Sequence, residues 1–183
     1  AGKDVICDIE LFYKAKPLAK TIGITGTNGK STTTALIGHV LKVAGKKVEV
    51  GGNIGTSALE LDDISGHDAI YVFEMSSYQL DLCVNFTPTV SILLNLSPDH
   101  IDRHGSMEGY ANAKARILGG SGTAIIGIDD KWTLELAKKA REERRRQVIA
   151  ISTQGNADIR VTEDGMLVDT TMGGERKIAD LKE

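Results

Sequence analysis

The sequence predicts an α/β domain, built on a doubly wound, mostly parallel sheet and followed by a small C-terminal β appendage. Three observations carry that expectation. Apolar runs of strand length alternate with stretches of helical period, as they do in successive βαβ units. A glycine-rich turn ending in Gly29-Lys30-Ser31-Thr32 lies between an apolar run and an amphipathic stretch, where a P-loop belongs. After residue 152 the pattern changes to two short strand-like runs around an Asp-Gly pair.

Residues 1–20 form a lead-in segment, residues 21–152 the core and residues 153–183 the appendage. Within the core, residues 21–25 read as a buried strand. Leu36, Ile37, Val40, Leu41 and Ala44 then recur on one helical face, and Gly45 stands where a helix would end. Residues 48–50 form a short strand leading into a second glycine-rich turn, Gly51-Gly52-Asn53-Ile54-Gly55. Residues 69–73 are a buried strand closed by Glu74, and residues 90–94 are another, followed by a polar loop over 95–105 and a helix over 107–118. Strands at 123–128 and 148–151 bracket a helix over 132–146, for which Asp129-Asp130 supplies an N-cap. In the appendage, runs at 159–161 and 166–168 flank Glu163-Asp164-Gly165 and predict a β-hairpin.

Composition narrows the function classes. The 183 residues carry 22 Lys+Arg against 25 Asp+Glu, a formal net charge of −3, and are 41% hydrophobic. That apolar fraction excludes disorder, and that charge gives no field for a nucleic acid or an anionic membrane. The charged run at 138–146 mixes acids and bases at helical spacing and suits a solvated helix face. No apolar run reaches the roughly 18 residues that span a bilayer, so a cytoplasmic, monomeric protein with a small-molecule partner is expected. Cys7 and Cys83 are far apart in sequence, without metal-ligand spacing, and read as reduced, structurally passive thiols. The 20 glycines exceed the roughly 7% usual in globular domains, so their placement is informative.

The segment Gly26-Thr27-Asn28-Gly29-Lys30-Ser31-Thr32 has the parts that bind a nucleoside triphosphate, most simply ATP. Glycines let backbone N–H groups turn toward phosphate oxygens, and the helix start adds the positive end of its dipole. Lys30 supplies a mobile charge, and the Ser31 hydroxyl suits a Mg²⁺ ion. The match to the general P-loop is incomplete, because Ile24 stands where that pattern has its first glycine. Glu74, at the carboxyl end of a strand, is a candidate Mg²⁺ ligand.

These residues resemble the phosphate loop of the Mur ligases and their relatives, the folylpolyglutamate synthases. Four further stretches follow in the family's order: Gly51-Gly52-Asn53-Ile54-Gly55, Glu74-Met75-Ser76-Ser77-Tyr78-Gln79-Leu80, Asp99-His100-Ile101-Asp102-Arg103-His104-Gly105, and Ala113-Lys114-Ala115-Arg116-Ile117. Within the family, Ser76-Ser77-Tyr78-Gln79-Leu80 and Asp8-Ile9-Glu10-Leu11-Phe12 resemble the branch that joins D-glutamate to UDP-N-acetylmuramoyl-L-alanine. The likeness runs from Cys7 to about Ile151 and covers the central domain alone. It implies that the amino-terminal domain for the uridine nucleotide and a carboxyl-terminal domain are absent, and that the isolated chain cannot ligate.

The resemblance also implies roles that residue chemistry leaves open. His100, otherwise an ordinary loop histidine, resembles the family's ligand for a second Mg²⁺, whereas His104 is left structural. Lys114, otherwise a surface lysine, matches a lysine that the family carries carbamylated, which needs a lowered pKa. Asn53, Ser76 and Gln79 offer neutral donors and acceptors for the substrate; turn and cap roles explain Asn53 and Ser76 equally well. The implied reaction is ATP-dependent amide formation through an acyl phosphate in peptidoglycan synthesis, hence in cell-wall biogenesis, cell shape and division, with Lys30, His100 and Lys114 as catalytic groups. Two alternatives remain at this point: a folylpolyglutamate synthase or another Mur ligase, and a non-catalytic nucleotide switch.

Overall fold

The computed structural model describes residues 5–182. The chain order is α1 (Asp8–Ala15), β1 (Lys20–Thr25), α2 (Lys30–Val43), β2 (Lys47–Gly52), β3 (Ala69–Glu74), α3 (Ser77–Asp81), β4 (Val90–Leu93) and α4 (Ile101–His104). It continues with α5 (Met107–Ala115), a 3-10 turn (Arg116–Leu118), β5 (Thr123–Gly127), α6 (Lys131–Glu143), β6 (Gln147–Ser152), β7 (Ile159–Val161), β8 (Met166–Asp169) and β9 (Arg176–Asp180).

The nine strands among the described residues form one sheet in the order β2-β3-β1-β4-β5-β6-β7-β8-β9. Pairing is parallel from β2 through β7 and antiparallel for β7-β8 and β8-β9. The predicted appendage therefore continues the sheet: Ile151 and Ser152 of β6 pair with Ile159 and Arg160 of β7. A ninth strand, β9, follows the hairpin, and its exposed residues gave no alternating signal to read. The hairpin turn is centred on Gly165, whose N–H donates to Thr162 O at 2.9 Å.

Side-chain alternation along the strands separates two packed faces. Phe73, Leu93 and Ile126 face α1, α5 and α6, whereas Ile24, Val72 and Ile92 face α2. The lead-in segment, for which no element is expected from the sequence, contains α1. Its Phe12 ring packs edge-on against Tyr71 and Phe73, at centroid distances of 4.7 and 5.0 Å.

Helix α2 corrects the expected apolar face: Leu36 and Val40 are exposed, and the buried residues are Thr34 and Gly38. Gly38 sits so close to β2 that an added Cβ would meet Val50 Cγ2 at 2.5 Å. The helix therefore docks through its small residues, with Ile37 and Leu41 beside them, rather than through the centre of its apolar arc. Gly45 does end this helix, with its N–H donating to Lys42 O and that of Lys46 to Leu41 O. The helix expected over 132–146 stops earlier, at Glu143, and the polar loop over 95–105 contains the short α4. Asp130 caps α6 as expected, accepting from the N–H groups of Trp132 and Thr133.

Among the described residues, no helix is long and apolar enough to cross a membrane. The strand order reverses around β1, which lies between β3 and β4. In open α/β sheets the crevice at the carboxyl ends of the strands beside such a reversal collects ligands.

Candidate functional site

The loop between β1 and α2 occupies that crevice, and a second loop holds it in place. The N–H of Thr27 donates to Asn95 O and that of Asn28 to Asn95 Oδ1, both at 2.9 Å, while Asn95 Nδ2 returns a bond to Asn28 O. Thr27 Oγ1 accepts from Ser97 N at 3.0 Å and lies 3.1 Å from the Tyr110 hydroxyl. Gly29 caps α2, and the first intrahelical bond is made by Thr33 N–H to Gly29 O. The N–H groups of Lys30, Ser31 and Thr32 precede that bond, and the first turn of α2 has no acidic side chain to compete with an anion. Ser31 and Thr32 are exposed there, and the Lys30 ammonium is folded back onto Thr27 O at 2.7 Å.

Next to the loop lies a cleft of about 320 Å³. Of the residues singled out in the sequence, Lys30, Asn53, Ser76, His100 and Lys114 line it. Reading the sequence missed four others: Ser77, Tyr78, Asp99 and Tyr110. The first three sit inside or beside motifs already noticed, so adjacency was the available signal; Tyr110 faces the cleft because α5 packs beside Leu93 and Ile126 and brings its hydroxyl to Thr27.

Glu74 ends β3 with 2% of its surface exposed. Its Oε1 accepts from Asn53 Nδ2 at 3.0 Å, and its Oε2 is buried without a hydrogen-bond partner. Burying a carboxylate oxygen unpaired is costly, so this atom fits a cation that would complete it. Among the described residues, no three His, Cys, Asp or Glu side chains converge as a complete metal set. A Mg²⁺ ion does not require one, because it takes one or two carboxylates and fills its other positions with water and phosphate oxygens. The glycine pair before Asn53 is sterically required, since a Cβ on Gly52, at φ +101°, would lie 2.4 Å from Glu74 O.

Lys114 projects from α5 into the same crevice and is 2% exposed. Its ammonium donates to Thr25 Oγ1 at 3.1 Å, and Thr25 donates in turn to Met75 O. Burial, reinforced by the nearby positive charge of Lys30, lowers its pKa to about 7 against the opposing pull of Asp99 and Glu74. A neutral amine is thus accessible near neutral pH, which is the form that can add CO₂.

His100 caps α4 in the left-handed region, at φ 51°, with its Nε2 3.5 Å from Asp99 Oδ2 and its ring edge-on to Tyr78 at 5.2 Å. A non-glycine residue held there is a strained feature that the surroundings must impose. His104, expected to be structural, bonds Ser77 Oγ at 3.0 Å and packs beside Tyr110.

Ser76 and Gln79 make a capping box for α3: Ser76 Oγ accepts from Gln79 N, and Gln79 Oε1 accepts from Ser76 N. Gln79 Nε2 donates to Asp8 Oδ1 at 3.2 Å. Ser76 still lines the cleft, while Gln79 stands behind it and is turned toward α1.

Residues 24–180 match the model of the Mur ligase middle domain. A UDP-N-acetylmuramoylalanine--D-glutamate ligase from Phenylobacterium zucineum is 45% identical across the whole of this chain and 41% of its own length, and one from Caulobacter is 49% identical across 99% and 40%. The chain thus spans about two fifths of these relatives. Among solved structures, a MurF ligase from Thermotoga maritima in complex with ADP superposes with a TM-score of 0.66 at 23% identity, covering 93% of this chain and 43% of that one. FolC from E. coli superposes at 0.63 with 16% identity, over 99% and 54%. At such identities the structural likeness speaks to the fold. With the crevice, its loop and the match over residues 24–180 all in agreement, the chain belongs to the Mur ligase family, whose middle domain it represents.

Proposed function

We propose that this domain binds ATP and Mg²⁺ and drives amide formation between UDP-N-acetylmuramoyl-L-alanine and D-glutamate. The observation that carries the reading is the convergence, in one crevice, of the Gly26–Thr32 loop, the unpaired Glu74 oxygen and the buried, low-pKa Lys114. The two relatives named above are D-glutamate ligases by name, which supports the amino-acid specificity.

In this reading Gly26, Thr27, Asn28, Gly29, Lys30 and Thr32 cradle the phosphates, and Lys30 leaves Thr27 O to neutralise the transferring phosphoryl group. A carboxylate oxygen of the muramoyl-alanine attacks the γ-phosphorus, and ADP leaves. The D-glutamate amine then attacks the acyl carbon, loses a proton and expels phosphate. Asn53 and Ser76 orient the substrate, Gln79 steadies Ser76 from behind, and carbamylated Lys114 presents anionic oxygens in place of its ammonium. Ser31 and Glu74 would hold one Mg²⁺, and His100 and Lys114 a second. Bound there, the ions supply charge neutralisation for the phosphoryl oxygens. The reading makes the protein a cytoplasmic monomer in peptidoglycan synthesis, dependent on flanking domains for turnover.

Lys30→Ala tests the nucleotide assignment: titration calorimetry with ATP and Mg²⁺ should show affinity lower by on the order of a hundredfold, an electrostatic loss of about 2.7 kcal/mol. Unchanged affinity overturns it. Phosphate release by the chain joined to the flanking domains of a relative, assayed with muramoyl-alanine and a panel of amino acids, should require D-glutamate.

A further inference from the structure

Cys7 and Cys83, 76 positions apart and expected to be unrelated, meet in the fold with their sulfurs 3.3 Å apart. Both are buried free thiols, 8% and 5% exposed, in the core that α1 builds against β3. The backbone beside each is clamped. Asp8 accepts from Ser57 Oγ, Ala58 N and Gln79 Nε2, while Glu10 accepts from the N–H groups of Val84, Asn85 and Phe86.

We propose that Cys7 and Cys83 are a modification site, closing to an intramolecular disulfide when the protein meets a hydroperoxide. The two sulfurs already touch, and a bond of about 2.05 Å requires them to close the remaining gap. Cys7 is the attacking group because it caps the amino end of α1. Its pKa falls to about 7, chiefly through the hydrogen bond with Cys83 and then through the N–H groups of Glu10 and Ile9, against the penalty of burial. The same bond and burial raise the pKa of Cys83.

In the first step the Cys7 thiolate attacks one peroxide oxygen; the O–O bond breaks, the alcohol or water leaves with a proton, and Cys7 becomes a sulfenic acid. The Cys83 sulfur then attacks Cys7, the S–O bond breaks, and water leaves with the Cys83 proton. Two thiols lose two electrons and the peroxide gains them. The bond ties α1 to the segment following α3, the helix whose start carries Ser76 into the cleft.

The test is hydrogen peroxide at a small molar excess over the native 183-residue chain, followed by denaturation with N-ethylmaleimide and intact mass measurement. The expected product has lost both maleimide additions and about 2 Da, yields a Cys7–Cys83 peptide on digestion, and reverts with dithiothreitol. Cys83→Ser should leave a Cys7 sulfenic acid that a 1,3-dione traps, and Cys7→Ser should leave Cys83 alkylated at least tenfold more completely than in the parent chain. Two maleimide additions on the treated parent, over-oxidised Cys7 without a cross-link, or a disulfide solely between two chains would overturn the proposal.

Discussion

Two buried glutamates sit at opposite ends of this molecule's polar chemistry. Glu10 on α1 is fully buried, and its carboxylate accepts from four donors: the N–H groups of Val84, Asn85 and Phe86 and the Asn85 side-chain amide. Burial alone would raise its pKa, yet these bonds outweigh it and hold the group below the usual carboxylate range. Glu74, nearly as buried, has a single partner and an oxygen with none. One carboxylate has all its bonds within the fold, while the other, bonded to Asn53 beside the cleft, has a buried oxygen without a partner. Burial by itself therefore does not separate these two acids; the count of satisfied lone pairs does.

The largest effect should come from removing the satisfied group. Glu10→Ala removes the shared acceptor of the Val84, Asn85 and Phe86 N–H groups, of which Phe86 is buried, and should destabilise the chain by about 3 to 5 kcal/mol in urea unfolding, whereas Glu74→Ala should cost under about 1 kcal/mol. Because its folded pKa is depressed, Glu10 contributes stability fully above its unfolded value, and that contribution is lost as pH falls through the folded value. Glu10→Ala should flatten this part of the acid dependence. Glu74→Ala should instead abolish the Mg²⁺ enhancement of nucleotide affinity. Equal stability losses for the two would break the comparison.

Lys114 extends the contrast to a buried base. With its folded pKa near 7 against 10.5 for the free group, the unfolded state binds the extra proton between those values, so the stability of the parent rises with pH there. Against Lys114→Met, that gain should be a few kcal/mol between about pH 7 and 10, read as the difference between urea midpoints. A smaller effect is expected at Gly52. Gly52→Ala should cost about 1 to 3 kcal/mol and weaken the Mg²⁺ response, because the new Cβ pushes against Glu74 O and separates Asn53 from Glu74. A variant with normal Mg²⁺ response would detach Asn53 from the site.

Much of the site was legible because its chemistry is local. Gly26 through Thr32, Glu74 and Lys114 lie in short motifs whose strand and helix context can be read from apolar periodicity. The parts that were not legible depend on partners distant in the chain. Asn95 anchors the Gly26–Thr32 loop across 67 positions, and Tyr110 reaches Thr27 across 83. The exposed face of α2 escaped for the same reason. Periodicity located an apolar arc, but Gly38 against Val50 decided which edge of that arc touches the sheet.

The sequence by itself determined the alternating α/β pattern, the position of the glycine-rich loop between β1 and α2 and the family, since hydrophobic period and motif spacing are properties of neighbouring residues. Tertiary structure alone decided that Glu74 keeps an unpaired oxygen, that Lys114 is buried beside Lys30, that two remote cysteines touch and that the hairpin continues the main sheet. Each of these is a matter of desolvation or contact between distant segments, and such quantities exist only once the chain has closed on itself.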